Sequence, residues 1–185
     1  MNDKKRCWGD TLPKFVLDYH DNVWGKPCHD DKTLFKMLCL EAFQAGLSWN
    51  IVLKREKMLE AAFSGFDPAV IAQYPDTKTD ELLLADGIIK NRKKIEAVLH
   101  NAKRYLEIQK EFGSFDKYIW SYTEGKVIDN RFTEGSQLPA STPLSDKIAK
   151  DLKKRGFKFL GTVTVYAFMQ SMGLVNDHLV TCEYR

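Results

Sequence analysis

Two cysteines and two histidines sit near the opposite ends of this chain: Cys7 and His20 at one, His178 and Cys182 at the other. Two thiolates and two imidazoles form a donor set that Zn²⁺ prefers. His178 and Cys182 are four residues apart, so a helix there would put both on one face. Cys7 and His20 are brought together only by a loop that folds back. With every position taken by protein, such a site is closed and structural, one zinc per chain tying the ends together. Spacing alone does not select zinc, because there is no CxxC pair, and four scattered core or surface residues suit the same positions.

The second constellation is a carboxylate among apolar residues. Glu41 lies in the run Leu38-Cys39-Leu40-Glu41-Ala42-Phe43. Such a group either faces solvent on the outer side of a helix or is held in a pocket for chemical work. Trp49 follows eight residues on, and Trp8 and Tyr19 flank two of the candidate metal ligands. If a metal gathers the ends, it fixes those rings too. Flat rings around one carboxylate suit a planar cation or an electron-poor nucleobase.

The third is Gly156-Phe157-Lys158-Phe159-Leu160-Gly161-Thr162-Val163. A tight glycine turn followed by a helix start offers free backbone N–H groups to a phosphate. That is the logic of a helix-hairpin-helix element, and equally the look of an ordinary helix–helix corner. The basic clusters Lys90–Lys94 and Lys153–Arg155 could add local attraction for nucleic acid or be solvated helix faces. Net charge is only +3, so the field of the whole molecule adds little.

The elements that must position these residues read as helices almost throughout. Asp30 or Asp31 caps a helix carrying Leu34, Phe35, Leu38, Ala42 and Phe43, with Gly46 as its end. Ser48 precedes the next helix, Asp67-Pro68 opens a short one, and Thr79 or Asp80 another. The longest spans about 91–112, with Ile95, Val98, Leu99, Ala102, Leu106 and Gln109 as its inward stripe. Short helices follow from Ser114 and from Ser145, and the last covers about 162–172. Residues 123–144, rich in Gly, Ser, Thr and Pro, read as a long surface loop. No segment alternates as a strand does. The expected fold is all-α, an orthogonal array of short helices in one domain over 1–185, with at most two closely packed lobes.

The 185 residues, 44% hydrophobic and 12% aromatic, suffice for one substantial core. No run suits a signal peptide or a membrane span, so a cytoplasmic protein is expected, with its four cysteines reduced.

In order along nearly the whole chain, these stretches resemble the bacterial 3-methyladenine DNA glycosylase I (Tag) family of the helix-hairpin-helix superfamily. The matching segments are Tyr19-His20-Asp21-Asn22-Val23-Trp24-Gly25, Leu34-Phe35, Leu40-Glu41, Gln44-Ala45-Gly46-Leu47-Ser48-Trp49 and Gly87-Ile88-Ile89. Lys153-Lys154-Arg155-Gly156-Phe157-Lys158-Phe159 and Gly173-Leu174-Val175-Asn176-Asp177-His178 complete them. The resemblance implies hydrolytic removal of 3-methyladenine from double-stranded alkylated DNA, leaving an abasic site without strand cleavage. It implies structural zinc on Cys7, His20, His178 and Cys182. Glu41 is implied as the pocket carboxylate, and Tyr19, Trp49 and Trp8 as rings around the base. Gly46 and Leu47 fall at a turn that wedges into the duplex, and Lys158, Gly161 and Thr162 on the backbone-binding hairpin. A monomer with no obligate protein partner is expected. The chain departs from the family in carrying Val16 where a pocket tyrosine is usual. Asn176 stands where the wider superfamily has a catalytic aspartate, so the adjacent Asp177 is not assigned that role. The competing readings are a zinc-stapled DNA-binding protein without activity and a glycosylase for a different damaged base.

Overall fold

The computed structural model describes residues 5–75 and 77–185. Its described residues form nine α-helices: α1 Lys14–Asn22, α2 Asp31–Gln44, α3 Trp49–Ala62, α4 Pro68–Ile71, α5 Lys78–Leu84, α6 Arg92–Phe112, α7 Phe115–Ser121, α8 Pro143–Lys154 and α9 Thr162–Ser171. Helix α2 is the centre. It packs against α3, α6, α7 and α9, and every residue from Met37 to Phe43 is buried. A helix apolar on all sides belongs inside, and this sequence has that character. Asp30 starts it by accepting the Thr33 N–H at 2.8 Å. Asp31 then turns outward to a neighbour: its carboxylate accepts the N–H groups of Phe115 and Asp116, opening α7, and the Gln109 amide of α6.

Several expectations are corrected. Helix α1 is absent from the expected elements, although its buried Val16, Tyr19 and His20 stand at helix spacing; Pro13 precedes it without a side-chain cap, so no local start signal marks it. On α6 the inward stripe continues through Tyr105 and Ile108, not Leu106 and Gln109, because Tyr105 stacks on Phe115 with centroids 4.3 Å apart. Helix α8 begins at Pro143, capped by Thr142, which places Ser145 inside the first turn and not at its start. A short parallel pairing also exists: β1 Ile128–Asp129 beside β2 Val175–Asn176. Two-residue strands are too brief to show alternation in a sequence.

That pairing gives the 123–144 segment a role. Val180 N–H also donates to the Phe132 carbonyl, and Arg185 pairs with Asp129. The segment therefore fastens the C-terminal residues against the helices. No helix among the described residues is long and apolar enough to cross a membrane.

Asp31 joins α2, α6 and α7 through three hydrogen bonds. Asp31→Ala should lower unfolding free energy by about 1–3 kcal/mol, because it strands two helix-start N–H groups. Urea denaturation measures this; an unchanged midpoint would show that α7 needs no such cap.

Candidate active site and metal centre

Helix α1 carries Tyr19 and His20 side by side, so the two face different ways. His20 points to the chain ends. There the ligand atoms of Cys7, His20, His178 and Cys182 all lie within 4.8 Å of one another. Cys7 Sγ is 3.4 Å from His178 Nδ1, Cys182 Sγ is 3.3 Å from the same nitrogen, and Cys182 Sγ is 3.7 Å from His20 Nε2. A tetrahedral zinc with ordinary Zn–S and Zn–N bonds has S···N edges of about 3.5 Å, so the cluster has the right size. The outer ring nitrogens are engaged as metal-bound histidines require. His178 Nε2–H donates to the Trp24 carbonyl at 2.8 Å, and His20 Nδ1–H to Asp21 at 2.8 Å. Arg6 in turn grips Asp21 through two nitrogens. Burial, with Cys182 adding to it, pushes the Cys7 thiol up to about 12; burial, with His20, Lys26 and Arg185 nearby, pushes the His178 imidazole down to about 4. A cation is what would favour thiolate there.

One expectation fails in detail. Residues 177–182 are not helical, so His178 and Cys182 do not meet by helix spacing. They meet because the segment curls, with Cys182 N–H bonded to the Leu179 carbonyl and Leu179 N–H donating to Cys7 Sγ. Gly25 is needed beside them. Its φ is +74°, and a Cβ would come within 2.8 Å of the His178 ring.

Tyr19 points to a cavity of about 330 Å³ that also contains Trp8, Glu41 and Trp49, as expected from the sequence. Trp8 and Tyr19 lie nearly parallel with centroids 6.2 Å apart, and Tyr19 meets Trp49 at 5.2 Å. Trp8 also touches His20, with ring centroids 4.8 Å apart, which links the ring wall to the Cys/His cluster. Val16 lines the same cavity. Sequence reading did not single out Trp24, Gln44 or Gln170 as lining residues. Gln44 follows Glu41 by three residues on α2, so helix spacing could have found it; Gln170 could not be found without the packing of α9 on α2.

Glu41 is only 3% exposed, and burial raises its carboxyl to about 8, with the neighbouring Ser171 hydroxyl opposing the shift. Its Oε2 has no hydrogen-bond partner, and neither does the buried Nε1 of Trp49. One orphaned acceptor and one orphaned donor thus belong to residues of the same cavity. Native structures leave few such atoms unpaired, so both mark a place for a ligand. Asp177, by contrast, is saturated: it accepts from Asn130, Tyr166 and Gln170. It is a structural anchor for α9.

Gly46 and Leu47 do not line this cavity. They border an adjoining groove with Val163 and Thr164, joined to the cavity through Gln44 and Ala167. Gly161 and Thr162 start α9 beside that groove. No side chain caps this helix start. Thr162 donates its hydroxyl to Asp146, leaving its backbone for other partners. Lys158 lies apart, in a cleft with His100 and Lys103. Its backbone exchanges two hydrogen bonds with the Asn101 side chain, which holds the turn. The basic clusters are less available than their sequence suggests. Arg92 pairs with Asp80, Lys94 is buried, and Arg155 is held by Glu111 and Asp151.

The comparisons agree with this geometry. The family model described as methyladenine glycosylase matches residues 8–185. The chain is 44% identical over 179 residues to DNA-3-methyladenine glycosylase 1 of Escherichia coli (strain K12), covering 96% of this chain and 95% of that one. It is 46% identical over 177 residues to the DNA-3-methyladenine glycosylase of Haemophilus influenzae, covering 96% of each. Among solved structures it is similar to 3-methyladenine DNA glycosylase I of Staphylococcus aureus, a structure concerned with recognition of 3-methyladenine. There the TM-score is 0.93 at 42% identity, over 96% of this chain and 94% of that one.

The buried carboxyl has a thermodynamic signature. Between about pH 4.5 and 8 the folded protein keeps a proton on Glu41 that the unfolded chain has shed. Its contribution to stability is therefore present at low pH and is lost as pH rises through this window. Glu41→Gln should gain stability relative to the parent at pH 8 compared with pH 5. Urea denaturation at the two values checks it; an equal difference at both would mean the carboxyl is not held protonated.

Proposed function

The chain belongs to the methyladenine glycosylase family, and from that premise we propose that it repairs alkylated DNA by flipping out 3-methyladenine and hydrolysing the base–sugar bond. The observation that carries this reading is the pair of orphaned groups in the ring-lined cavity, Glu41 Oε2 and Trp49 Nε1. Adenine offers an exocyclic amine as donor and ring nitrogens as acceptors, so one base edge has the groups to answer both.

The chemistry asks little of the protein. Methylation at N3 makes the attached base cationic and hence a good leaving group. The work is to extrude, hold and discriminate it. Flipping costs a few kcal/mol, least where pairing is already damaged. Trp8, Tyr19 and Trp49 present π faces that attract a cation and gain nothing comparable from neutral adenine. Burial raises the Glu41 carboxyl to about 8, so ionising it at pH 7 costs on the order of 1 kcal/mol. A cationic base offsets that cost; a neutral base does not. Glu41 is thus the residue assigned to recognition and to stabilising the charged reaction centre. Among the described residues no lysine lines the cavity, which supports a hydrolytic step without a covalent enzyme–sugar intermediate.

On the DNA side, Leu47, 36% exposed on the Gly46 turn, is assigned to the space the base vacates. The uncapped start of α9 at Gly161 and Thr162, with Lys158, is assigned to the phosphate backbone as a helix-hairpin-helix contact that carries no base information. A Cβ on Gly161 would meet nothing within 4 Å, so that surface is open to an approaching strand. The four-residue cluster is assigned to one structural Zn²⁺ held by Cys7, His20, His178 and Cys182. Bound there, the ion would favour the two thiolates and tie the chain ends; no step of the reaction passes through it. The whole chain is read as one monomeric, cytoplasmic helical domain acting on double-stranded DNA.

Two predictions test these assignments. Purified protein should contain close to one zinc per chain, and Cys182→Ser should reduce thermal stability more than it changes affinity for free 3-methyladenine. Metal analysis of untreated protein showing none would overturn the zinc assignment. Secondly, methylated duplex DNA should yield free 3-methyladenine readily and 7-methylguanine hardly at all. Guanine places an oxygen where adenine has its amine, so Glu41 in the ionised form that answers the cation would set acceptor against acceptor. Trp49→Ala should reduce release by about 1–3 kcal/mol through lost stacking, and Glu41→Ala should erode both rate and adenine preference. Comparable release of both bases by the parent protein would point to a broad alkylation glycosylase instead.

A further inference from the structure

Lys94 reads in the sequence as one more solvated cation of the run Lys90–Lys94. It is instead 5% exposed, in the first turns of α6. Its ammonium donates to the carbonyl of Phe43 at 2.8 Å and to that of Ala45. Among the described residues no carboxylate partner accompanies it; burial lowers its pKa. A buried ammonium without a counter-ion is costly, and a neutral chain of the same length would fill the space. What the ammonium adds is a grip on two carbonyls at the negative end of α2.

Those carbonyls bracket the exit of the pocket helix. Glu41 and Gln44 stand on its last turn. Ala45 then leaves the helix with φ −45° and ψ 113°, and Gly46 reverses the chain at φ +77°. A Cβ at Gly46 would meet nothing within 4 Å, so the turn faces open space there, and Leu47 beyond it is exposed. Apart from the Leu47 N–H bond back to the Gln44 carbonyl, Lys94 is the polar contact that fixes where this turn begins.

We infer that Lys94 is a positioning residue for the Gly46–Leu47 turn, setting its direction relative to the base pocket before DNA arrives. A turn ordered in advance does not lose freedom when it enters the duplex. The inference rests on the proposed entry of Leu47 into the space left by the flipped base. It concerns duplex opening and leaves base recognition to the cavity.

The test compares Lys94→Met, Leu47→Ala and the double variant in single-turnover release of 3-methyladenine. Substrates are alkylated duplex and alkylated single strands, with affinity for free 3-methyladenine read from tryptophan fluorescence. Lys94→Met should slow release from duplex by about ten-fold or more, as small misplacements do. Its release from single strands and its affinity for the free base should stay at the parent values. Leu47→Ala should also slow duplex release, and the double variant should be no slower than the slower single one, since both act through one turn. If Leu47→Ala leaves duplex release unchanged, the wedge reading itself fails. If Leu47→Ala slows it but Lys94→Met does not, or if the two effects multiply, Lys94 does not act through the turn. Equal losses on duplex, single strand and free base would make Lys94 merely structural and overturn the inference. Should Lys94→Met not fold, Lys94→Gln, which retains an N–H donor, replaces it under the same criteria.

Discussion

A carboxylate buried on the most enclosed helix of the protein is the constraint around which the rest is arranged. Helix α2 is covered by α3, α6, α7 and α9, so Glu41 cannot escape to solvent by a change of rotamer alone. Its second oxygen is left without a partner. Most proteins resolve such a group by pairing it with a cation. Here the nearby buried cation, Lys94, is spent on backbone carbonyls beyond the helix end. The carboxyl is left neutral at rest and prepared to meet a charge that arrives from outside. An uncharged base would find a pocket whose electrostatic cost it cannot repay.

The rings that surround this group depend on the chain ends. Trp8 is one residue from Cys7 and Tyr19 one from His20, so closing the Cys/His cluster also closes the pocket wall. The cluster is supported outward by Asp21, Arg6 and the Trp24 carbonyl. The 123–144 segment supports it from the other side by pairing with residues 174–180. A structural centre distant in sequence from Glu41 thereby governs the shape of the site that Glu41 serves.

Much of this was legible in the residues. Caps at Asp30 (offered with Asp31), Asp67 and Ser114 marked helix starts because each is a local hydrogen bond with a local signature. The four candidate ligands and the rings around Glu41 could be named, but their meeting could not be derived from spacing, since it depends on a non-helical curl at 177–182. Helix α1 escaped because no side-chain cap marks its start, although Val16, Tyr19 and His20 form a helix-spaced inward face. The orphaned state of Trp49 Nε1 and the burial of Lys94 were invisible for a different reason: a sequence shows which groups can bond, and only the fold shows which have been left without partners.

The same accounting bears on how such a protein would hold DNA. Its formal charge is small, and three of the seven cations in the two basic runs are engaged within the fold: Arg92 with Asp80, Arg155 with Glu111 and Asp151, Lys94 with carbonyls. Lys90, Lys93, Lys153 and Lys154 stay exposed, as does Lys158 in its separate cleft, and the neutral N–H groups at the start of α9 lie beside the groove. Each phosphate neutralised by a lysine or arginine releases counterions and steepens the salt dependence of binding. Backbone N–H groups fix a phosphate without adding a full charge. The part of the grip carried by the start of α9 therefore tolerates salt, and the part carried by the exposed lysines weakens with it. Neither part reads a base, so on the proposed function commitment waits for the step at which a cationic base reaches Glu41.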